Sequence, residues 1–129
     1  MTDLTDKASQ SVIVLHQLIE AVFHGDGSQL TELLTHFDDD FMMVTPAGKT
    51  LALAEVEALF GRLTGAREGM TIAIEQCKVI SQRGDEVVIQ YHELQHQQEN
   101  HTHRISLAVI NCATQPPRWR YLQETMVTN

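Results

Sequence analysis

Two segments, Val87–Gln97 and Thr102–Asn111, read as strands and flank the polar stretch Gln98–Asn100. Paired as an antiparallel hairpin centred near Gln98 and Glu99, they set Glu93 against Arg104 and Tyr91 against Ser106. Alternation then puts Val87, Ile89, Tyr91, Glu93, Arg104, Ser106, Ala108 and Ile110 on one face. On such an apolar face Arg104 could hold an anionic group while a glutamate accepts a proton. The plainer alternative is a cross-strand Glu/Arg pair with a satisfied buried glutamate.

The opposite face of the same hairpin carries His92, His96, His101 and His103, with His96 opposite His101. Cross-strand imidazoles can chelate zinc, nickel or copper, but three ligands must converge on one point. The stretch Gln95–His103 is polar enough to reach into solvent, so the expectation is a solvated tip or dimer rim, with no metal and no cofactor. Other signals fail on spacing. Gly48-Lys49-Thr50 resembles the end of a phosphate loop, yet Met43 stands where its first glycine belongs. His16, Glu20 and His24 recur every four residues without a zinc-protease pattern and read as a solvated helix face. Cys77 and Cys112 lie outside any metal spacing and read as reduced thiols at buried strand positions. Trp119 reads as core or dimer packing, since no basic patch accompanies it.

Nine basic against seventeen acidic residues give a net charge of −8, which repels nucleic-acid backbones and anionic lipid. The segment Met1–Lys7 is acidic rather than basic, and the apolar run Val12–Phe23 is broken by His16, Gln17 and Glu20. A cytoplasmic protein that binds neither nucleic acid nor membrane is expected. Its 129 residues fit one domain spanning the whole sequence.

The elements that must position these residues follow from periodicity. Val12, Leu15, Leu18, Ile19, Val22 and Phe23 predict a helix over Ser9–His24, stopped by Gly25. Asp26 and Gln29 resemble a capping box opening a second helix through Leu30, Leu33, Leu34 and Phe37. A strand over Phe41–Thr45 runs into the Pro46–Gly48 turn, and a third helix covers Leu53–Thr64. From Met70 the period becomes two, giving strands Met70–Ile80, Val87–Gln97, Thr102–Asn111 and Trp119–Val127. The pattern predicts an α+β domain, with three N-terminal helices packed on a curved antiparallel sheet.

The strings Phe23 through Gly25-Asp26, Leu33-Leu34, Phe37 with its aspartates, Val44-Thr45-Pro46-Ala47-Gly48-Lys49, and Trp119-Arg120-Tyr121-Leu122-Gln123-Glu124-Thr125 resemble the nuclear transport factor 2-like superfamily. The resemblance implies a cystatin-like cone, a SnoaL-like or ketosteroid isomerase-like fold, and often a homodimer formed through the sheet. That group includes ketosteroid isomerases, polyketide cyclases, limonene epoxide hydrolases and a kinase association domain. The isomerases' general base matches Thr45, which cannot act as a base at neutral pH, and their carbonyl-polarising tyrosine matches Leu18. Steroid isomerisation is therefore not expected. The resemblance also turns Leu122, Glu124 and Met126 toward the cone interior.

The ligand site expected from these readings comprises Thr45, Tyr91, Glu93, Arg104, Ser106, Leu122, Glu124 and Met126, framed in part by Met43 and Phe60. Its occupant would be a small organic molecule. Two alternatives stay open: a lyase, cyclase or isomerase using Glu93 or Glu124 as base, and an assembly module with a filled interior.

Overall fold

The computed structural model describes residues Asp3–Thr128. Helix α1 (Leu4–Phe23) starts before the expected Ser9, because the Asp3 carboxylate caps it by accepting from the Thr5 N–H at 3.2 Å. Ala8 extends the buried stripe of Val12, Leu15, Ile19 and Phe23 one turn earlier. Helix α2 (Gly27–Leu34) is capped by Asp26 and ends before Phe37. Phe37 instead opens strand β1 (Phe37–Val44), where its ring packs on Phe41 at a centroid distance of 4.6 Å. Three successive aspartates are poor strand formers, yet Asp38–Asp40 lie inside β1, in the irregular stretch between Phe37, which pairs with Trp119, and Met42, which pairs with Tyr121.

After β1 the chain reverses through Thr45–Lys49, where Gly48 takes a φ of +85°, a region that favours glycine. The short strand β2 (Thr50–Ala52) returns beside β1 and runs into helix α3 (Leu53–Leu63). There Glu55 Oε1 accepts from the Ala52 N–H at 3.1 Å, satisfying one of the free donors at the helix start. Four long strands follow: β3 (Thr71–Arg83), β4 (Glu86–Gln97), β5 (Asn100–Asn111) and β6 (Arg118–Met126).

The six strands form one curved sheet in the order β2-β1-β6-β5-β4-β3. It is mixed rather than wholly antiparallel, since β1 lies parallel to β6 with Met43 opposite Leu122. Two helices precede the sheet and the third interrupts it after β2. The α+β class holds, but the arrangement of three N-terminal helices on an antiparallel sheet is only roughly met.

The core lies between the helices and the inner sheet face, where Val87, Ile89, Tyr91, Ala108, Ile110 and Trp119 are fully buried. Trp119 donates its indole N–H to Ser11 Oγ at 2.9 Å, joining β6 to α1 and satisfying the polar atom of a buried aromatic ring. Strand β3 is the edge and is irregular, with Gln76 at φ +54° and register shifts on either side of Lys78. That bulge leaves Cys77 exposed rather than buried, while Cys112 is buried as expected.

Candidate functional site

The β4–β5 register pairs Glu93 with Arg104 and Tyr91 with Ser106, as a hairpin centred near Gln98 and Glu99 requires. Ser106 in turn faces Glu124 on β6, so the inner face brings two carboxylates and a guanidinium together. The expected Glu93–Arg104 ion pair is not formed. Arg104 Nη1 instead lies 3.4 Å from each Glu124 oxygen, reaching diagonally toward β6. Glu93 turns to α1, where its Oε1 lies 3.0 Å from His16 Nε2.

His16 overturns the reading of a solvated helix face. It is 4% exposed, and its ring meets Tyr91 and Trp119 edge-on at 5.2 and 6.2 Å. Its neighbours on that stripe also bind the protein: Glu20 accepts from the Ile72 N–H, and His24 Nε2 donates to the Met70 carbonyl. The stripe is the one that α1 lays along β3 and β4. The sequence did contain the signal, because Val12, His16, Ile19 and Phe23 fall at i, i+4, i+7 and i+11 of one apolar face.

Both ring nitrogens of His16 face acceptors, since Nδ1 lies 2.8 Å from the Val12 carbonyl and Nε2 faces Glu93. A carbonyl cannot donate, so the arrangement calls for an imidazolium beside a carboxylate. The second Glu93 oxygen accepts from Gln95 Nε2 at 2.6 Å. Burial disfavours both charges, yet mutual attraction outweighs it: His16 is held above its ordinary range, and Glu93 falls to about 2 through His16, Gln95 and Arg104. Glu124 behaves oppositely. Burial and the Glu93 charge push its carboxyl up, and Arg104 and His16 offset only part of that. Burial, with Glu93 and Glu124 nearby, also raises the Tyr91 phenol well above 10.

His16, Glu93, Gln95, Arg104 and Glu124 together line the polar part of a cavity of about 240 Å³. Leu15, Ile19 and Phe23 of α1, Phe41 and Met43 of β1, Val56 and Phe60 of α3, and Leu122 make its apolar wall. Half-buried Thr45, Pro46 and Arg67 complete the lining, with the Arg67 guanidinium 5.3 Å from the Phe23 ring centre. Of the expected site, Thr45, Glu93, Arg104, Leu122 and Glu124 line this space. Tyr91 and Ser106 are buried on the same face but outside the lining. Met126 does not reach it: opposite Arg104 at the end of β6, it borders a separate surface depression with His96 and His101. His16, Gln95 and Arg67 are the polar lining residues that sequence reasoning missed.

Thr45 accepts from the Lys49 N–H through its hydroxyl at 3.1 Å, a turn-stabilising role, and Leu18 packs against the core outside the cavity. On the outer face, His92 Nδ1 and His103 Nε2 lie 2.7 Å apart. Among the described residues no group of three or more His, Cys, Asp or Glu side chains is placed to hold a metal ion. No described helix is long and apolar enough to cross a membrane.

Helices and a curved sheet closing on a polar-ended cavity define a cystatin-like, nuclear transport factor 2-like fold, and the chain belongs to that superfamily. It is similar to a nuclear transport factor 2-like protein of unknown function from Pseudomonas aeruginosa, at 28% identity and a TM-score of 0.89, with 95% of this chain and 99% of that one covered. The β subunit of benzoate 1,2-dioxygenase from Burkholderia mallei shares the fold at 14% identity and a TM-score of 0.75, covering 98% and 92%. A cystatin-like protein of unknown function from Nostoc punctiforme does so at 11% identity and a TM-score of 0.71, covering 94% and 92%. No protein-family model and no curated protein matches the chain.

Proposed function

We propose that this chain binds a small organic molecule in the cone interior and works as a cytoplasmic homodimer. The observation that carries the reading is the cavity of about 240 Å³, walled by apolar side chains and ended by Glu93, Arg104 and Glu124. Thr45 and Leu122 contact the ligand, Tyr91 and Ser106 lie buried on the same face outside the lining, and Met126 drops out of the site. The reading calls for no cofactor and no nucleic-acid or membrane partner. Native mass spectrometry of the purified protein is expected to show a co-purified or exchangeable small molecule; a space that admits no organic probe at millimolar concentration would overturn it.

The dimer rests on the outer sheet face, where Val88, Leu94, Ile105, Leu107, Val109 and Tyr121 are all half-buried. These apolar side chains, set beside Gln90, His92 and Gln123 on the same face, favour a second copy as cover. Light scattering at micromolar concentration is expected to give twice the chain mass, and a monomer would remove the sheet interface.

A second reading, a lyase, cyclase or isomerase, is favoured by one contrast. Both Glu93 oxygens are already engaged by donors, so Glu93 is withdrawn as a base, whereas the raised Glu124 carboxyl can exchange a proton beside the cavity. Loss of turnover in Glu124→Gln with binding retained would establish this reading over simple binding.

A further inference from the structure

The polar end contains two ion pairs of different quality. His16, Glu93 and Gln95 form a closed set in which every facing atom has a partner and the charges cancel. Arg104 is less well served. Its contacts to Glu124 are 3.4 Å, whereas charge-assisted N–H···O bonds run about 2.7–2.9 Å, and its Nε is buried without a partner. A guanidinium is built to present two parallel N–H groups to one carboxylate. Here a single nitrogen straddles both oxygens.

Resting on the cavity reading above, we propose that the ligand is an apolar molecule with one carboxylate, which replaces Glu124 as the counter-ion of Arg104 while Glu124 takes a proton from solvent.

Charge counting requires the proton. With His16 and Arg104 as cations, a third carboxylate beside Glu93 and Glu124 would leave one uncompensated negative charge in a buried space. Glu93 is held by His16 and Gln95, so Glu124 is the carboxylate free to neutralise. The charged and titratable groups around Glu124 are Arg104 on β5, Glu93 and Tyr91 on β4, and His16 on α1. The cavity-lining residues Met43 of β1, Thr45 of the turn after it, and Val56 and Phe60 of α3 carry no charge, and half-buried Arg67 also lines the cavity. Burial and Glu93 already bias Glu124 toward the acid. The phenylalanines and leucines of the wall receive the rest of the molecule.

Titration calorimetry with phenylbutyrate and its neutral analogue phenylbutanol, run in buffers of different ionisation enthalpy, tests this on the unaltered protein. Phenylbutyrate is expected to bind at least tenfold more tightly, with uptake of about one proton and an affinity falling roughly tenfold per pH unit above neutrality. Glu124→Gln should bind it with no proton uptake and little pH dependence, and Arg104→Met should lose the preference while still binding the alcohol. Equal binding of the two probes, or carboxylate binding without proton uptake, overturns the proposal but leaves the cavity reading standing. Binding of neither probe overturns the cavity reading and the proposal with it.

Discussion

The two buried carboxylates sit on adjacent stretches of one sheet face, yet they are held in opposite ways. Glu93 is clamped by a helix histidine and a strand amide, and its charge is part of the fold. Glu124 is nearly as buried, beside the same Glu93, and its nearest cation reaches it only at 3.4 Å. Burial alone therefore does not decide whether a carboxylate is structural or available. What decides it is how many donors converge on its oxygens, because desolvation costs both groups alike while only Glu93 recovers that cost.

Removing the clamp gives the largest effect. Glu93→Leu leaves an imidazolium or a poorly satisfied imidazole in the core and is expected to destabilise the protein by about 3–5 kcal/mol in urea unfolding. Glu93→Gln should cost clearly less, because an amide can donate to Nε2 of a neutral His16. Equal losses in the two variants would show that volume rather than charge matters at this position.

The pH profile is expected to show the pair next. Glu93 lies below its unfolded value of 4.5, so its contribution is present above that pH and is lost as pH falls from there toward about 2. His16 lies above 6.5, so its contribution is complete below 6.5 and is lost as pH rises through the elevated folded value. Melting temperature should therefore peak between the two limits, and His16→Leu with Glu93→Leu should flatten the profile. A parent profile with its maximum above pH 8 would refute the charged pair.

Glu124→Gln sharpens the contrast from the other side. The raised Glu124 carboxyl favours the fold while it is protonated and loses that benefit as pH rises through its folded value. The amide is expected to melt higher than the parent near pH 8 and to match it near pH 4. Destabilisation at both pH values would mean that Glu124, like Glu93, is a clamp.

The hairpin register was legible because the polar stretch Gln98–Asn100 centres the turn and sets Glu93 opposite Arg104, whereas the inward face followed from the family resemblance, since Val87-Val88-Ile89 and Ile105–Ile110 put apolar residues on both sides. The choice of ion-pair partners was not, since it depends on α1 crossing above β4 and on β6 lying beside β5. His16 could have been read as buried from its place between Val12 and Ile19, but its polarity argued for the surface. The strand through Asp38–Asp40 and the bulge that exposes Cys77 had no local signal. Both fall where the ladder to the neighbouring strand is irregular, between Phe37 and Met42 and between Glu75 and Lys78. Met126 shows the limit of alternation: it has the right parity and lies one step beyond the cavity.

The smallest expected effect is on the outer face. His92 and His103 lie 2.7 Å apart, close enough for one ring to donate to the other, and so satisfy each other without an ion. His96 and His101 meet with their rings tilted at a centroid distance of 3.9 Å further out, where His96 Nε2 meets the Gln98 carbonyl. These are two separate pairs at successive positions of a hairpin, and a structural metal needs three or four ligands closing on one point. Chelator treatment is therefore expected to leave the melting temperature within about 1 °C. A drop of many degrees, restored by zinc and abolished in His92→Gln, would move the outer face from a polar strand tip to a metal centre and make it, rather than the clamped Glu93, the point on which the fold depends.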